Sequence, residues 1–410
     1  MSHLAIVGAG AAGLYAAGSA LALGHSVTLI EHMESPGKKL LITGKGRCNV
    51  TNNCDEEEFL KNVRHNPRFL YSALYALPPR ALMEVLENEY GLPLKTERGR
   101  RVFPQSDRAA DVLQVLQKRA QGAKMVHARA KSLLIENRQV TGVALEGGQT
   151  VHANAVLVAT GGLSYSVTGS TGIGYTMARG AGHAIVPPEP SLVSLLEKGG
   201  ACRKLMGLSL RNVTLTLLED NKAVFSELGE MLFTHFGISG PLTLSSSVFA
   251  GDFKKHTYVA SVDMKPALSA EKLDERIRRD FTEVASKNAA NCLDKLLPGK
   301  MRSVMLERWD VPPDTKVNQI TRQQREELVK LIKGFTVPLA SRGDLAHAVI
   351  TSGGVDVKQV DPKTMQSKLV QGLYFAGEVL DVDAYTGGYN LQIAFSTADA
   401  AARGFDAAQM

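Results

Sequence analysis

Glycines 8, 10 and 13, in LAIVGAGAAGLYAAGSALALG, and an acid 23 residues beyond the first of them are the residue types that hold a nucleotide phosphate. Gly8 allows a tight turn after an apolar strand, Gly10 lets the backbone approach a pyrophosphate, and Gly13 permits a helix to pack closely on that strand. Ala11 and Ala12 open the helix, so their N–H groups face the anion with the positive end of the helix dipole behind them. Glu31 closes the next strand, SVTLIE, at the position from which a carboxylate reaches a ribose hydroxyl. The far end of the chain carries a related pattern in GLYFAGEVLDVDAYTGGYNLQIAFSTA: a short apolar strand, Gly377-Glu378, then Gly387 and Gly388 opening a helix at Tyr389. A helix N-terminus there would stabilise negative charge on whatever ring system it faces.

These residues need a strand–turn–helix–strand unit at the start and a returning strand at the end, so a parallel α/β sheet of the doubly wound type is expected. Between the two lie further pieces of one binding domain. The segment ESPGKKLLITGKGRCNVTNN carries Lys38, Lys39, Lys45 and Arg47 among glycines and polar turns. A long irregular loop inside a compact domain usually serves a ligand, and this one is expected to wrap a cofactor larger than a simple nucleotide. KSLLIENRQVTGVALEGGQTVH reads as three strands, with turns at Glu136-Asn137 and Gly147-Gly148. NAVLVATGG is a buried strand ending in the turn Thr160-Gly161-Gly162.

The bulk properties exclude several classes. With 410 residues the chain is long enough for two or three domains, and its ordinary apolar and charged fractions exclude repeat or disordered architectures. No apolar run reaches the roughly 18 residues of a membrane span. The start, MSHLAIVGAG, lacks the basic flank and cleavage site of a signal peptide, and four scattered cysteines suit a reducing compartment, so a cytoplasmic location is expected. The formal charge is +6; residues 265–333 hold 15 Lys/Arg against 11 Asp/Glu, a basic surface or simply a solvated helical face. No His/Cys/Asp cluster has metal-ligand spacing; His3, His25, His32 and His65 are scattered and read as surface or satisfied polar residues. GISGP lacks the spacing of a serine nucleophile elbow. Cys48 and Cys54 are separated by five residues, one more than in flavin-linked disulfide reductases, so Cys48 reads as a packing residue whose backbone approaches the cofactor. No second glycine fingerprint appears; Gly172-Ile173-Gly174 lacks a preceding strand and a third glycine.

Together GAGAAG, LLITGKGRCNVTN, GRRVFPQSDRAADV, LVATGGLSYSVTGSTGIGY, PSLVSL, GEMLFTHFGISGP and the stretch from AVITSGG to QIAFSTA resemble the BaiN/YhiN-type family of FAD-dependent oxidoreductases over nearly the whole chain. Two departures stand out: Lys45 occupies a position usually glycine, and Ser166 one usually proline. The resemblance implies a Rossmann-like, two-dinucleotide-binding-type FAD domain that is discontinuous, residues 1–190 and 341–410, with an inserted domain at 191–340 that is β-rich over 191–265 and helical over 266–340. In such architectures the substrate cleft lies at the domain junction. Ser269 is expected to cap the first of the inserted helices, without a capping box.

For FAD the resemblance implies contacts from Gly8, Gly10, Ala11, Ala12, Gly13, Glu31, Lys38, Lys39, Gly46, Arg47, Cys48, Asn49, Ala130, Thr160, Gly161, Gly162, Gly377, Glu378, Gly388, Asn390 and Leu391. Glu378 and Asp381 are expected to order the cofactor rather than exchange protons. The activity implied is hydride transfer from NAD(P)H through FAD to a carbon–carbon double bond conjugated to a carbonyl. Such an acceptor needs its oxygen stabilised and its α-carbon protonated. Tyr165, Tyr385 and Tyr389 are candidate donors, and Arg101 and His235 candidate carbonyl partners, against the plainer reading of loop tyrosines as packing. With one nucleotide fingerprint, NAD(P)H is a transient donor sharing the acceptor's cleft, which implies ping-pong kinetics. A small-molecule enone of the 3-oxo-Δ4/Δ6 steroid or bile-acid class stands first as acceptor and uridine in ribosomal RNA second; a flavin-binding redox sensor without turnover is the third reading. The one tryptophan, Trp309, gives little for stacking RNA bases.

Overall fold

The computed structural model describes residues 1–410. Two compact units emerge, Met1–Ser191 with Leu345–Met410, and Leu192–Asp344.

The first unit is built on five parallel strands: β1 (His3–Val7), β2 (Ser26–Glu31), β3 (Lys124–His127), β4 (Ala155–Val158) and β5 (Leu373–Phe375), in the order 5-4-1-2-3. Every pair is parallel, with Val7 opposite both Ile30 and Val158, and Val158 opposite Phe375. The strands therefore end along one edge of the sheet. Leu4–Val7 and Ala155–Val158 are buried at every residue, as expected of parallel strands covered on both faces.

The first helix, α1 (Ala11–Ala22), is buried over nine of its twelve residues, which explains its alanine and glycine content: larger side chains would have nowhere to go. A Cβ on Gly18 would sit 2.9 Å from that of Arg119. Opposite α1 runs the C-terminal helix, α2 (Tyr389–Ala407). Tyr15 meets Phe395 at 5.2 Å between ring centroids, and Ser19 Oγ donates to Asp399 Oδ1 at 2.9 Å. Burying Phe395 alone is worth about 2–3 kcal/mol. Polar residues inside α2 are all partnered: Gln392 accepts from Thr51 Oγ1 (2.6 Å) and donates to the Leu77 carbonyl (2.9 Å), and Thr397 Oγ1 accepts from the Gly377 N–H (3.0 Å). The two ends of the chain are thus locked together by one helix pair.

Two small antiparallel sheets complete this unit. One joins Thr51–Asn52, Arg101–Pro104 and Leu94–Glu97. The other joins Ala130–Glu136, Gln139–Leu145 and Thr150–His152, with positive φ at Asn137 and Arg138 in its first turn, as a two-residue hairpin of this twist requires. Ile185–Ser191 pairs with Ile350–Val355.

The second unit is a closed barrel of six strands, in the order Leu195–Glu197, Gly237–Ser239, Lys222–Phe233, Ser209–Glu219, Tyr258–Asp263, Phe335–Arg342, with its own core. Ser269 Oγ caps the helix Ala270–Glu283 by accepting from the Lys272 N–H. The capping box lies instead at Thr321 and Gln324, heading Arg322–Lys333. The helical stretch differs from expectation at its end. Phe335–Arg342 is a strand whose inward residues Phe335, Val337 and Leu339 alternate with exposed ones and close the barrel. Trp309 is 2% exposed and donates from Nε1 to the Gln324 carbonyl at 2.7 Å, so it is a core residue.

Candidate functional site

The three glycines of the first turn have different jobs. A Cβ on Gly13 would lie 1.8 Å from the Gly8 carbonyl oxygen, and one on Gly8, at φ +101°, 2.6 Å from the Ala159 carbonyl. Both are required by the fold. A Cβ on Gly10 would meet nothing within 4 Å. Gly10 is the N-cap of α1 and offers no side-chain cap, and no acid occupies the helix's first turn. An uncapped helix start beside open space is what an anionic pyrophosphate needs. Glu31 crosses this turn: Oε2 accepts from the Ala9 N–H (2.9 Å) and Oε1 from the Met33 N–H (2.8 Å).

The turn after β4 sits beside it. The hypothetical Gly8 Cβ also lies 3.0 Å from the Thr160 Cα, and Gly161 takes φ +70°. From the other end of the chain, Gly377, at φ +76°, packs so that an added Cβ would touch that of Ala12 at 3.0 Å. Residues 8–13, 160–162 and 377–378 therefore meet at the carboxyl edge of the sheet, where open α/β folds bind nucleotides.

Glu378 joins four segments at that edge. It accepts from Lys39 Nζ (2.6 Å), Ser164 Oγ (2.8 Å) and the Thr351 N–H (2.8 Å), and Lys39 Nζ also donates to Ser164 Oγ (2.7 Å). Thr351 Oγ1 accepts in turn from the Leu163 and Ser164 N–H groups (2.8 and 3.1 Å). Burial pushes the Glu378 carboxyl up, but the Lys39 ammonium, Ser164 and Thr351 outweigh it and hold the group below the usual carboxylate value. A Cβ on Gly162 would strike Thr351 Oγ1 at 2.4 Å and Glu378 Oε1 at 2.9 Å. Glu378 and Lys39 thus brace the edge with protein partners. Lys38, by contrast, makes no ion pair.

The loop Thr43–Asn49 winds through positive φ at Gly44, Lys45, Gly46 and Cys48. Cys48 is fully buried and burial pushes its thiol up to about 12; Cys54 is pushed up to about 11. Neither is a ready thiolate, so the packing reading of Cys48 fits better than disulfide exchange. Asn49 Oδ1 is buried without a partner. A buried amide oxygen left unpaired costs roughly 1–3 kcal/mol, so it marks where a ligand donor fits.

α2 begins at Gly388, φ +97°, again without a side-chain cap or first-turn acid. A Cβ there would lie 2.2 Å from the Thr51 carbonyl oxygen, so only glycine lets the helix start against the Thr51–Asn52 strand. Leu391 lies in the first turn, half-buried. Ala130 opens its hairpin strand three residues after His127, the partner of Glu31 in the sheet.

Several expected site residues are engaged elsewhere. Arg47 pairs with Glu97 and Asp107 and lies over the Phe103 ring at 4.1 Å, so it braces its own loop and Gly46 stays exposed. Asn390 uses its amide on the backbone of Ala384 (3.0 and 2.8 Å), fixing the loop before α2. Tyr389 is buried edge-on to Phe59 at 5.1 Å, and Arg101 donates to the Arg98 carbonyl at 3.0 Å. His235 belongs to the barrel unit, exposed and edge-on to Phe236. Tyr165 and Tyr385 are half-buried, Tyr165 at φ +51°. Gly172 and Gly174 begin a helix whose Gly174 would collide with Thr160 Oγ1 at 2.1 Å, so they serve packing under the Thr160 turn.

Sequence reasoning missed one cluster. His65, read as a surface or satisfied polar residue, is exposed and pairs through Nδ1 with Asp383, which is 1% exposed. Ser191 Oγ (3.0 Å) and Ser352 Oγ (3.3 Å) donate to the same carboxylate. The spacing of Glu378, Asp381 and Asp383 was a signal for it; the partners, more than 300 residues away for His65, were not legible.

The uncapped start of α1, the empty space at Gly10 and the orphan oxygen of Asn49 fit a flavin dinucleotide. A family model described as HI0933-like protein Rossmann domain matches residues 2–404. The 3-dehydro-bile acid delta(4,6)-reductase of Clostridium scindens is 30% identical, over 98% of each chain. A ribosomal RNA dihydrouridine synthase of Haemophilus influenzae is 33% identical, over 97% of this chain and 96% of that one. Among solved structures, the 3-ketosteroid delta1-dehydrogenase of Sterolibacterium denitrificans superposes with a TM-score of 0.51 at 14% identity, over the whole of both chains, a likeness of fold. No helix is long and apolar enough to cross a membrane.

Proposed function

The chain belongs to the HI0933-like Rossmann family, and on that premise we propose that it is a flavin-dependent reductase that takes hydride from NAD(P)H and delivers it to a carbon–carbon double bond conjugated to a carbonyl. When bound, FAD supplies the two-electron hydride chemistry. The observation that carries the reading is the meeting of residues 8–13 and 377–378, from the two ends of the chain, at one sheet edge, where the uncapped start of α1 lies. In this reading Gly10, Ala11 and Ala12 take the pyrophosphate, Glu31 the nucleotide ribose, and Lys38 supplies a cation not spent on the protein. Asn49 offers its amide oxygen to a ring donor. The start of α2, at Gly388–Leu391, stabilises negative charge on the ring edge. With one dinucleotide cradle, NAD(P)H and acceptor bind by turns.

A 3-oxo-Δ4/Δ6 steroid or bile-acid intermediate is the acceptor we place first, supported by the Clostridium relative, which matches from end to end. Uridine in ribosomal RNA is the second, supported by relatives of equal reach and by the basic 265–333 segment. Both acceptors are alkenes polarised by a carbonyl, so both need the same proton delivery. The test is anaerobic: flavin-loaded protein is reduced with NADH or NADPH and then mixed with a 3-oxo-4-ene steroid or with unmodified ribosomal RNA. Reoxidation by the steroid supports the first reading and by RNA the second. A flavin that no nicotinamide reduces sinks both and leaves the sensor.

A further inference from the structure

The segment Asn62–Asn66 runs antiparallel to Asp381–Tyr385, the stretch that leads into Gly387, Gly388 and α2. Val63 and Ala384 form a β-bridge, the Arg64 N–H donates to the Asp383 carbonyl (2.7 Å), and the Tyr385 N–H donates to the Asn62 carbonyl (3.0 Å). Asn66 Nδ2 bonds both the carbonyl and the carboxylate of Asp381 (2.7 and 2.9 Å). These contacts already pin the two segments, so the His65–Asp383 pair is not needed to hold them. The pair has a different form: a buried carboxylate with both oxygens bonded, and an imidazole whose side chain is 47% exposed. Nδ1 is committed to Asp383, with Ser352 Oγ 3.2 Å away, and Nε2 is the ring nitrogen left unspent. Ser352 adjoins Thr351 of the Glu378 hub, and Asp383 lies five residues before the Gly388 cap. The dyad therefore lies on the segments that run into the Glu378 hub and into the start of α2.

We propose that His65, oriented by Asp383, is the proton source for the acceptor's α-carbon. The inference rests on the reductase reading above. Hydride, drawn from the reduced nicotinamide, ends on the β-carbon, and the alkene electron pair moves toward the carbonyl oxygen. The Nε2–H bond of the imidazolium then breaks with its pair left on nitrogen, the α-carbon–hydrogen bond forms, the carbonyl re-forms, and solvent returns a proton to the ring. Asp383 is the positioning residue: it fixes the ring and favours its protonated form. The charged groups around the ring are Asp383, Asp381 and Arg64. The Asp383 hydrogen bond raises the imidazole above its ordinary range, burial opposes it, the Asp383 and Asp381 charges add, and Arg64 subtracts.

The test uses the full chain loaded with FAD and reduced beforehand, reacted in single turnovers with a 3-oxo-4-ene steroid and with 2-cyclohexen-1-one. His65→Gln, which keeps a donor toward Asp383, should slow acceptor reduction by about 100-fold or more. His65→Ala should recover part of the rate with added imidazole, in proportion to imidazolium, which a merely structural role does not predict. Without any turnover, NMR titration should find the His65 ring above the ordinary histidine value of roughly 6.5 in the wild type and back at it in Asp383→Asn. Wild type that turns over while His65→Gln stays within threefold overturns the proposal alone, as does a wild-type ring titrating in the ordinary range. Wild type that binds flavin yet reduces neither probe nor unmodified ribosomal RNA overturns the reductase reading, and this inference with it.

Discussion

Gly10→Ala separates a glycine kept for a ligand from those kept for the fold. The new methyl meets nothing within 4 Å, and Gly10 has φ −82°, a backbone any residue adopts. At an N-cap, alanine is worse than glycine by roughly 0.5–1 kcal/mol. The apoprotein's Tm should therefore move by no more than about 3 °C. Flavin binding should suffer, because the methyl stands where the pyrophosphate must approach the backbone. Losing one charge-assisted hydrogen bond there costs about 1.5–3 kcal/mol, which is roughly 10- to 150-fold in Kd. The assay is a fluorescence-quenching titration of apoprotein with FAD, paired with thermal unfolding of the apo form. Gly13→Ala is the contrast: its methyl would lie 1.8 Å from the Gly8 oxygen, so it should fail to fold before binding is at issue. Unchanged FAD affinity in folded Gly10→Ala would refute the assignment of this turn, and a large Tm loss would show that the space at Gly10 belongs to the fold.

Glu378→Gln should destabilise the protein by about 2–3 kcal/mol at neutral pH by leaving Lys39 without its charge partner, measured by denaturant unfolding. Because the folded-state carboxyl is held below its usual 4.5, its contribution is present above that value and lost as pH falls through the lower folded value; the wild-type advantage over Glu378→Gln should therefore vanish on acidification. Cys48 and Cys54 should resist iodoacetamide at pH 7 in the native state and react once urea unfolds the chain, since burial holds both thiols protonated; rapid native labelling would contradict their placement. Lys45→Gly should stabilise by up to about 1 kcal/mol, as the relief of a side chain at φ +59° exceeds the added chain entropy; a lower urea midpoint would count against strain there.

Much of the first unit was written locally. Strand, glycine turn, helix and acid follow one another within Leu4–Glu31, and their periodicities and turn residues act over a few positions. The same holds for the hairpins between Ala130 and His152 and for the cap at Ser269. The strand Phe335–Arg342 was harder to read, because its alternation is interrupted by a proline and follows directly on a helix; only the barrel's need for a closing partner makes it a strand. Among candidate site residues, type told less than partner. Arg47 and Asn390 carry suitable groups, but Glu97, Asp107 and Ala384 consume them.

What the sequence determined by itself was that the chain has a nucleotide turn at one end and a second glycine-rich helix start at the other, since φ preferences and helix starts are local properties of a few residues. What only the tertiary structure decided was which charges remain available. Lys39 and Glu378, and His65 and Asp383, are separated by more than 300 residues, and whether such groups cancel, brace or stay poised depends on distances of about 3 Å that folding sets and spacing along the chain does not.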